Sequence, residues 1–85
     1  MNFTIIDIND MLDKGIFKED AFIAQAEQID WALYKDKKIL IRGCLSSIIP
    51  PWAYMILTGK LAAIAQSIRF GNEHDHIIIL RKKNS

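Results

Sequence analysis

Ile39-Leu40-Ile41-Arg42-Gly43-Cys44-Leu45-Ser46-Ser47-Ile48-Ile49-Pro50-Pro51-Trp52-Ala53-Tyr54-Met55 is the stretch on which the fold turns. Its opening, Ile39-Leu40-Ile41, is apolar without alternation, which does not suit a strand with one wet face. It reads as a central strand covered on both sides and ending at Gly43. A residue before proline is pushed toward extended geometry, whereas proline itself suits the first helical turn, so a helix starts at Pro51. Over 52–65 only Thr58, Gly59 and Lys60 interrupt the apolar residues. Leu57, Leu61 and Ile64 then face one layer while Trp52, Met55 and Ile56 face elsewhere, and a helix apolar nearly all round is expected to be buried nearly all round.

Upstream, Phe3-Thr4-Ile5-Ile6-Asp7-Ile8 is rich in β-branched and aromatic residues and stops at Asn9-Asp10, as a first strand does. Asn9 or Asp10 is placed to cap a short helical turn through Met11 and Leu12, with Gly15 as a left-handed exit. A helix is expected over 18–29, because Phe22, Ala26 and Ile29 form one apolar stripe while Glu19 and Asp20 suit its amino end. Gln25 and Gln28 fall on the solvated side. Trp31 follows as a lid on the core, and Lys35-Asp36-Lys37-Lys38 is an exposed turn into the central strand.

Downstream, Ser67-Ile68-Arg69-Phe70 alternates as a short strand and Gly71-Asn72 marks a turn. His76-Ile77-Ile78-Ile79-Leu80 is a last apolar strand closed by Arg81-Lys82-Lys83. The order β-α-β-α-β-β predicts an α/β fold: a small mixed four-stranded sheet with two main helices. The crossover over 39–70 is right-handed and joins parallel strands, and the short connection before Ile77 makes an antiparallel pair. The 85 residues form a single α/β domain with no internal repeat or linker.

A formal charge of +1 gives no global attraction to nucleic acid. The single cysteine excludes an internal disulfide, and Met1-Asn2-Phe3-Thr4 has no secretory pattern, so a reducing cytoplasm is expected. The apolar run over 48–65 is broken by two prolines, Gly59 and Lys60 and falls short of a membrane span. No cofactor signature is present, and none is expected to bind.

Most of the chain from Gly15 onward resembles a bacterial family of uncharacterised proteins that carry two related α/β halves in tandem. The likeness lies in Asp30-Trp31, the turn over 34–38, Gly43-Cys44, Ile49-Pro50-Pro51-Trp52-Ala53-Tyr54-Met55, Ile68-Arg69-Phe70-Gly71 and Ile79-Leu80-Arg81-Lys82. The resemblance implies a single half here, with Pro51-Trp52-Ala53-Tyr54-Met55 like the first half and Gly43-Cys44 and the basic last strand like the second. It carries no activity. In Asn72-Glu73-His74-Asp75 the sequence departs from the later half, which has a proline and a cysteine after its Gly-Glu, so that His74 stands near that cysteine.

Chemistry-bearing residues are few. Cys44, at a strand end before a helix, is a candidate thiol nucleophile, although cysteine is more often a small buried core residue. His74 and His76, two apart in an extended segment, would face one side and with Cys44 form a weak metal-ligand or nucleophile set. No further ligand or orienting residue accompanies them. Ser46 and Ser47 precede a helix, a place where anions bind, but no phosphate-loop pattern supports that use.

The leading expectation is therefore a non-catalytic homodimeric interaction module, with Trp52, Met55 and Ile56 at the dimer interface. The alternative is a thiol- or metal-dependent enzyme or metal-binding module using Cys44 and His74.

Overall fold

A computed structural model describes residues 2–43 and 49–82. Strand β1 covers Thr4–Asp7, helix α1 Glu19–Gln28, strand β2 Lys38–Arg42, helix α2 Pro51–Leu61, strand β3 Ser67–Gly71 and strand β4 His76–Arg81. The strands form one sheet in the order β1-β2-β3-β4. β2 and β3 run parallel and β4 is antiparallel to β3, as the crossover and the short connection predict, and β1 pairs parallel with β2.

Strand register assigns each residue to a face. Thr4, Ile39, Ile68 and Leu80 lie in one row, and Ile6, Ile41, Phe70 and Ile77 in the next row on the same side. From these rows Ile6, Ile39, Ile41 and Ile68 join Phe22 and Ala26 of α1 and Ala53, Leu57 and Leu61 of α2 in one core. Both helices thus lie on one face of the sheet, the arrangement produced by two successive right-handed crossovers. The opposite face carries the row Ile5, Leu40, Arg69 and Ile78, and no helix among the described residues covers it.

Leu40 is nevertheless fully buried and stands apart from the helix-side core. Its row neighbour Arg69 holds its guanidinium carbon 5.5 Å from the Phe3 ring centroid, and Phe3 meets His76 edge to face at 5.2 Å. These side chains form a small second layer on that face. The central strand is therefore covered on both sides, as its unbroken apolar run predicts, but the second cover is a side-chain cluster.

Local details differ from the sequence expectation in three places. Residues Ile8–Met11 form a 3-10 turn capped by Asp7, whose carboxylate accepts from the Asn9 N–H at 2.9 Å, rather than a helical turn capped by Asn9 or Asp10. Lys14 and Gly15 both have positive φ, at 53° and 79°, between reciprocal Asp13 and Ile16 hydrogen bonds. Gly15 is thus the second residue of a two-residue turn instead of a helix exit. Helix α2 stops at Leu61, and the chain turns so that the Gln66 N–H donates to the Lys37 carbonyl at 2.8 Å and aligns β3 beside β2.

Trp31 behaves as a lid. It is half-buried against the core, and its indole N–H donates to the Ala26 carbonyl at 2.9 Å, satisfying one of the acceptors left open at the end of α1.

Candidate functional site

The three parallel strands bring their carboxyl ends to one edge, where Asp7, Arg42 and Gly71 share a register row. Arg42 reaches both ways from the middle strand. One guanidinium nitrogen lies 3.2 Å from the Asp7 carboxylate and the other 2.6 Å from that of Glu73. The hydrogen bond to Glu73, with the fields of Glu73 and Asp7, holds the Arg42 pKa above its usual value against the opposing effect of desolvation. The bridge ties the end of β1 to the loop between β3 and β4. Its members come from apolar runs and a polar loop that carry no joint motif, and their one shared signal is a charge placed just where a strand ends.

That loop is a tight turn rather than an extended segment. The Asn72 side chain accepts from the backbone N–H groups of His74 and Asp75 at 2.9 and 2.8 Å, and the Asn72 N–H donates to the Asp75 carbonyl at 3.0 Å. His74 is exposed within the turn, whereas His76 begins β4 and engages Phe3 and Arg69. The common side expected of the two histidines in an extended strand therefore does not form. His76 Nδ1 stands 3.4 Å from an Arg69 guanidinium nitrogen. Arg69 Nε is buried and has no hydrogen-bond partner among the described residues.

Cys44, Ser46 and Ser47 lie outside the described residues. Gly43, immediately before them, marks the point from which the β2 chain leaves the sheet. A Cβ there would lie 3.3 Å from the Tyr54 hydroxyl, close enough that the hydroxyl would have to give by a few tenths of an ångström, and 3.4 Å from the Phe70 ring. Tyr54 and Phe70 meet edge to face at 4.8 Å. The first turn of α2 thus packs its Tyr54 phenol beside the strand end, a neighbour the sequence reading did not select. At the amino end of α2, Pro50 occupies the cap position without a side-chain hydrogen bond, and Pro51 supplies no N–H. The dipole end of this helix is accordingly poor in donors for an anion.

Parallel pairing of Arg42 with Gly71 puts the ends of β2 and β3 at the same edge of the sheet. Among the described residues no group of three or more histidine, aspartate or glutamate side chains is placed to hold a metal ion.

The residues expected at a dimer interface are distributed unevenly. Trp52 packs its ring against Phe17 and Phe22, with centroids 5.6 and 6.0 Å apart, and Ile56 is half-buried against the core. Met55 is 70% exposed, so α2 is not buried all round. Among the described residues a consecutive exposed apolar run lies elsewhere: Ile77, Ile78 and Ile79 are 62%, 44% and 47% exposed on β4, an edge strand. Their unbroken apolar run was visible in the sequence, but their position at the rim was not.

These features define a small α/β domain with a mixed sheet, helices on one face and a charged strand-end bridge. The chain belongs to the family described as Protein of unknown function (DUF2480), whose model matches residues 1–84. No curated protein and no solved structure matches the chain. No helix among the described residues is long and apolar enough to cross a membrane.

Proposed function

We propose that the chain is a non-catalytic interaction module that associates with a second copy of itself in the cytoplasm. The observation that carries this reading is the run Ile77, Ile78 and Ile79 on the edge strand β4, whose side chains are all exposed, with a bulge in the pairing at Ile79. Monomeric soluble proteins seldom expose a contiguous apolar patch of this kind, and one usually marks an interaction surface. Met55, with its neighbours Trp52 and Ile56 on α2, offers a second apolar contact on the helical side. The tandem halves implied by the family resemblance are of the same character, since there a like unit covers the surface of its sister.

Strand-end chemistry supports catalysis less well. Arg42 is engaged by two carboxylates, and His76 is engaged by Phe3 and Arg69. Light scattering on the purified chain at tens of micromolar tests the reading, because an interface covering about 800 Å² per subunit holds together at that concentration. A dimer mass is expected; a monomer mass overturns it.

A further inference from the structure

We infer that the sheet face opposite the helices docks an acidic segment of another protein, with Arg69 as the anchor for a carboxylate. The inference goes beyond self-association and concerns a different partner. On this face the row Ile5, Leu40, Arg69 and Ile78 lies between two others, Asp7, Arg42, Gly71 and His76 on one side and Lys38, Ser67 and Arg81 on the other. No helix among the described residues covers the face, and Ile5 and Ile78 are exposed on it.

Charge selects the occupant. The strands place four cations here, Lys38, Arg42, Arg69 and Arg81, and one carboxylate, Asp7. Asp7 is taken by Arg42, as is Glu73 from the neighbouring loop. Lys38, Arg69 and Arg81 have no carboxylate partner among the described residues. The whole chain carries only +1, so this surplus is local to the face. Arg81 reaches it through the bulge. Regular alternation from Ile78 would set Arg81 on the helix side, whereas the extra residue at Ile79 pairs it with Ser67 on the open side.

Arg69 carries the argument furthest. It is half-buried, and its Nε is buried without a hydrogen-bond partner among the described residues. The guanidinium carbon lies 5.5 Å from the Phe3 ring centroid, and one guanidinium nitrogen lies 3.4 Å from His76 Nδ1. Neither neighbour carries negative charge. An arginine taken partly out of water costs free energy that a carboxylate offsets, and its planar fork binds that group through two parallel N–H donors. Ile78 pairs directly with Arg69 and Ile5 lies two strands across, so apolar side chains of the same segment have a seat beside the anchor. The aromatic geometry favours a peptide over single-stranded nucleic acid, whose bases need open rings to stack on. The three rows hold no phenylalanine, tyrosine or tryptophan, and Phe3 is already engaged by Arg69 and His76.

Fluorescence anisotropy with a labelled octapeptide of alternating glutamate and leucine tests the face, with far-UV circular dichroism to verify folding and light scattering to record mass. Replacing the peptide's glutamates by glutamine is expected to weaken binding by at least about tenfold. Arg69→Gln is expected to weaken it about tenfold, and Arg69→Lys to recover little of the loss, because lysine keeps the charge without the fork. Arg81→Gln, an exposed change at a strand end, is expected to weaken it about threefold, and Met55→Gln on the helix side to leave it unchanged. Equal binding of the glutamine peptide, or wild-type affinity in both folded Arg69→Gln and Arg81→Gln, overturns the inference. Tighter binding of oligouridine or of phosphatidylserine vesicles also overturns it and assigns the face to nucleic acid or to a membrane. A monomer mass with peptide binding intact overturns self-association alone, and a dimer that does not bind the peptide overturns the acidic docking face alone.

Discussion

Gly71 shows how much a single residue decides at the strand-end edge. Its φ is 138°, and a Cβ built there would collide with the Asp75 carbonyl oxygen and lie 2.9 Å from His76 Cα. The tight turn over 72–75 passes too close to admit a side chain, and the backbone angle is one that L residues avoid. Gly71→Ala is expected to destabilise the fold by about 2 to 4 kcal/mol, read from the urea midpoint. Gly59 is the contrasting case, exposed within α2 with nothing within 4 Å of a built Cβ. Gly59→Ala should stabilise by about 0.5 to 1 kcal/mol, since it removes chain entropy from the unfolded state without creating a clash. A similar loss in both variants would refute the account. Arg42→Gln should lower the midpoint modestly, and the difference from wild type should shrink as salt is added, because its bridge to Asp7 and Glu73 faces solvent.

Helix α2 illustrates the element scale. Periodicity identified two of the three expected layer-facing positions: Leu57 and Leu61 are fully buried, with Ala53 beside them, whereas Ile64 lies past the helix end and is half-buried. The expected length was too great because a crossover helix need only span the strands it covers. Eleven residues at about 1.5 Å each match five strand residues at about 3.3 Å, so continuing past Leu61 would carry the chain beyond the start of β3. Truncation should follow burial: Leu57→Ala is expected to cost about 2 to 5 kcal/mol, and Met55→Ala within about 0.5 kcal/mol, by chemical denaturation. At the end of α1, Trp31→Phe removes the donor to the Ala26 carbonyl and should cost about 1 kcal/mol beyond any packing change. Denaturation midpoints that rank Met55→Ala as the more damaging change would contradict the assigned helix faces.

At the scale of the whole molecule, stability and association are linked. If the native state is a dimer and the unfolded state is monomeric, mass action makes the thermal midpoint rise with protein concentration. Calorimetry on the same preparation at low and high micromolar concentration should show that rise, and Ile77→Lys should abolish it. A midpoint independent of concentration in the wild type would count against the dimer.

Element type and order were legible in the sequence because they depend on neighbours within one or two turns or strand lengths. The unbroken Ile39-Leu40-Ile41 run, Pro50-Pro51 before α2, the stripe through Phe22 and Ala26, and the short connection before β4 each encode a local constraint, and together they determined the mixed α/β sheet. Contacts between distant residues had no such local signature. Arg42 meets Asp7 across 35 positions and Glu73 across 31, and Phe3 meets His76 from nearly opposite ends of the chain. Strand register alone decides those meetings, since it is set by many backbone hydrogen bonds and the core acting together. The apolar run over 77–79 was likewise plain in the sequence. Only the tertiary structure put it on an edge strand, where both faces remain exposed and its backbone lacks a neighbour on one side among the described residues.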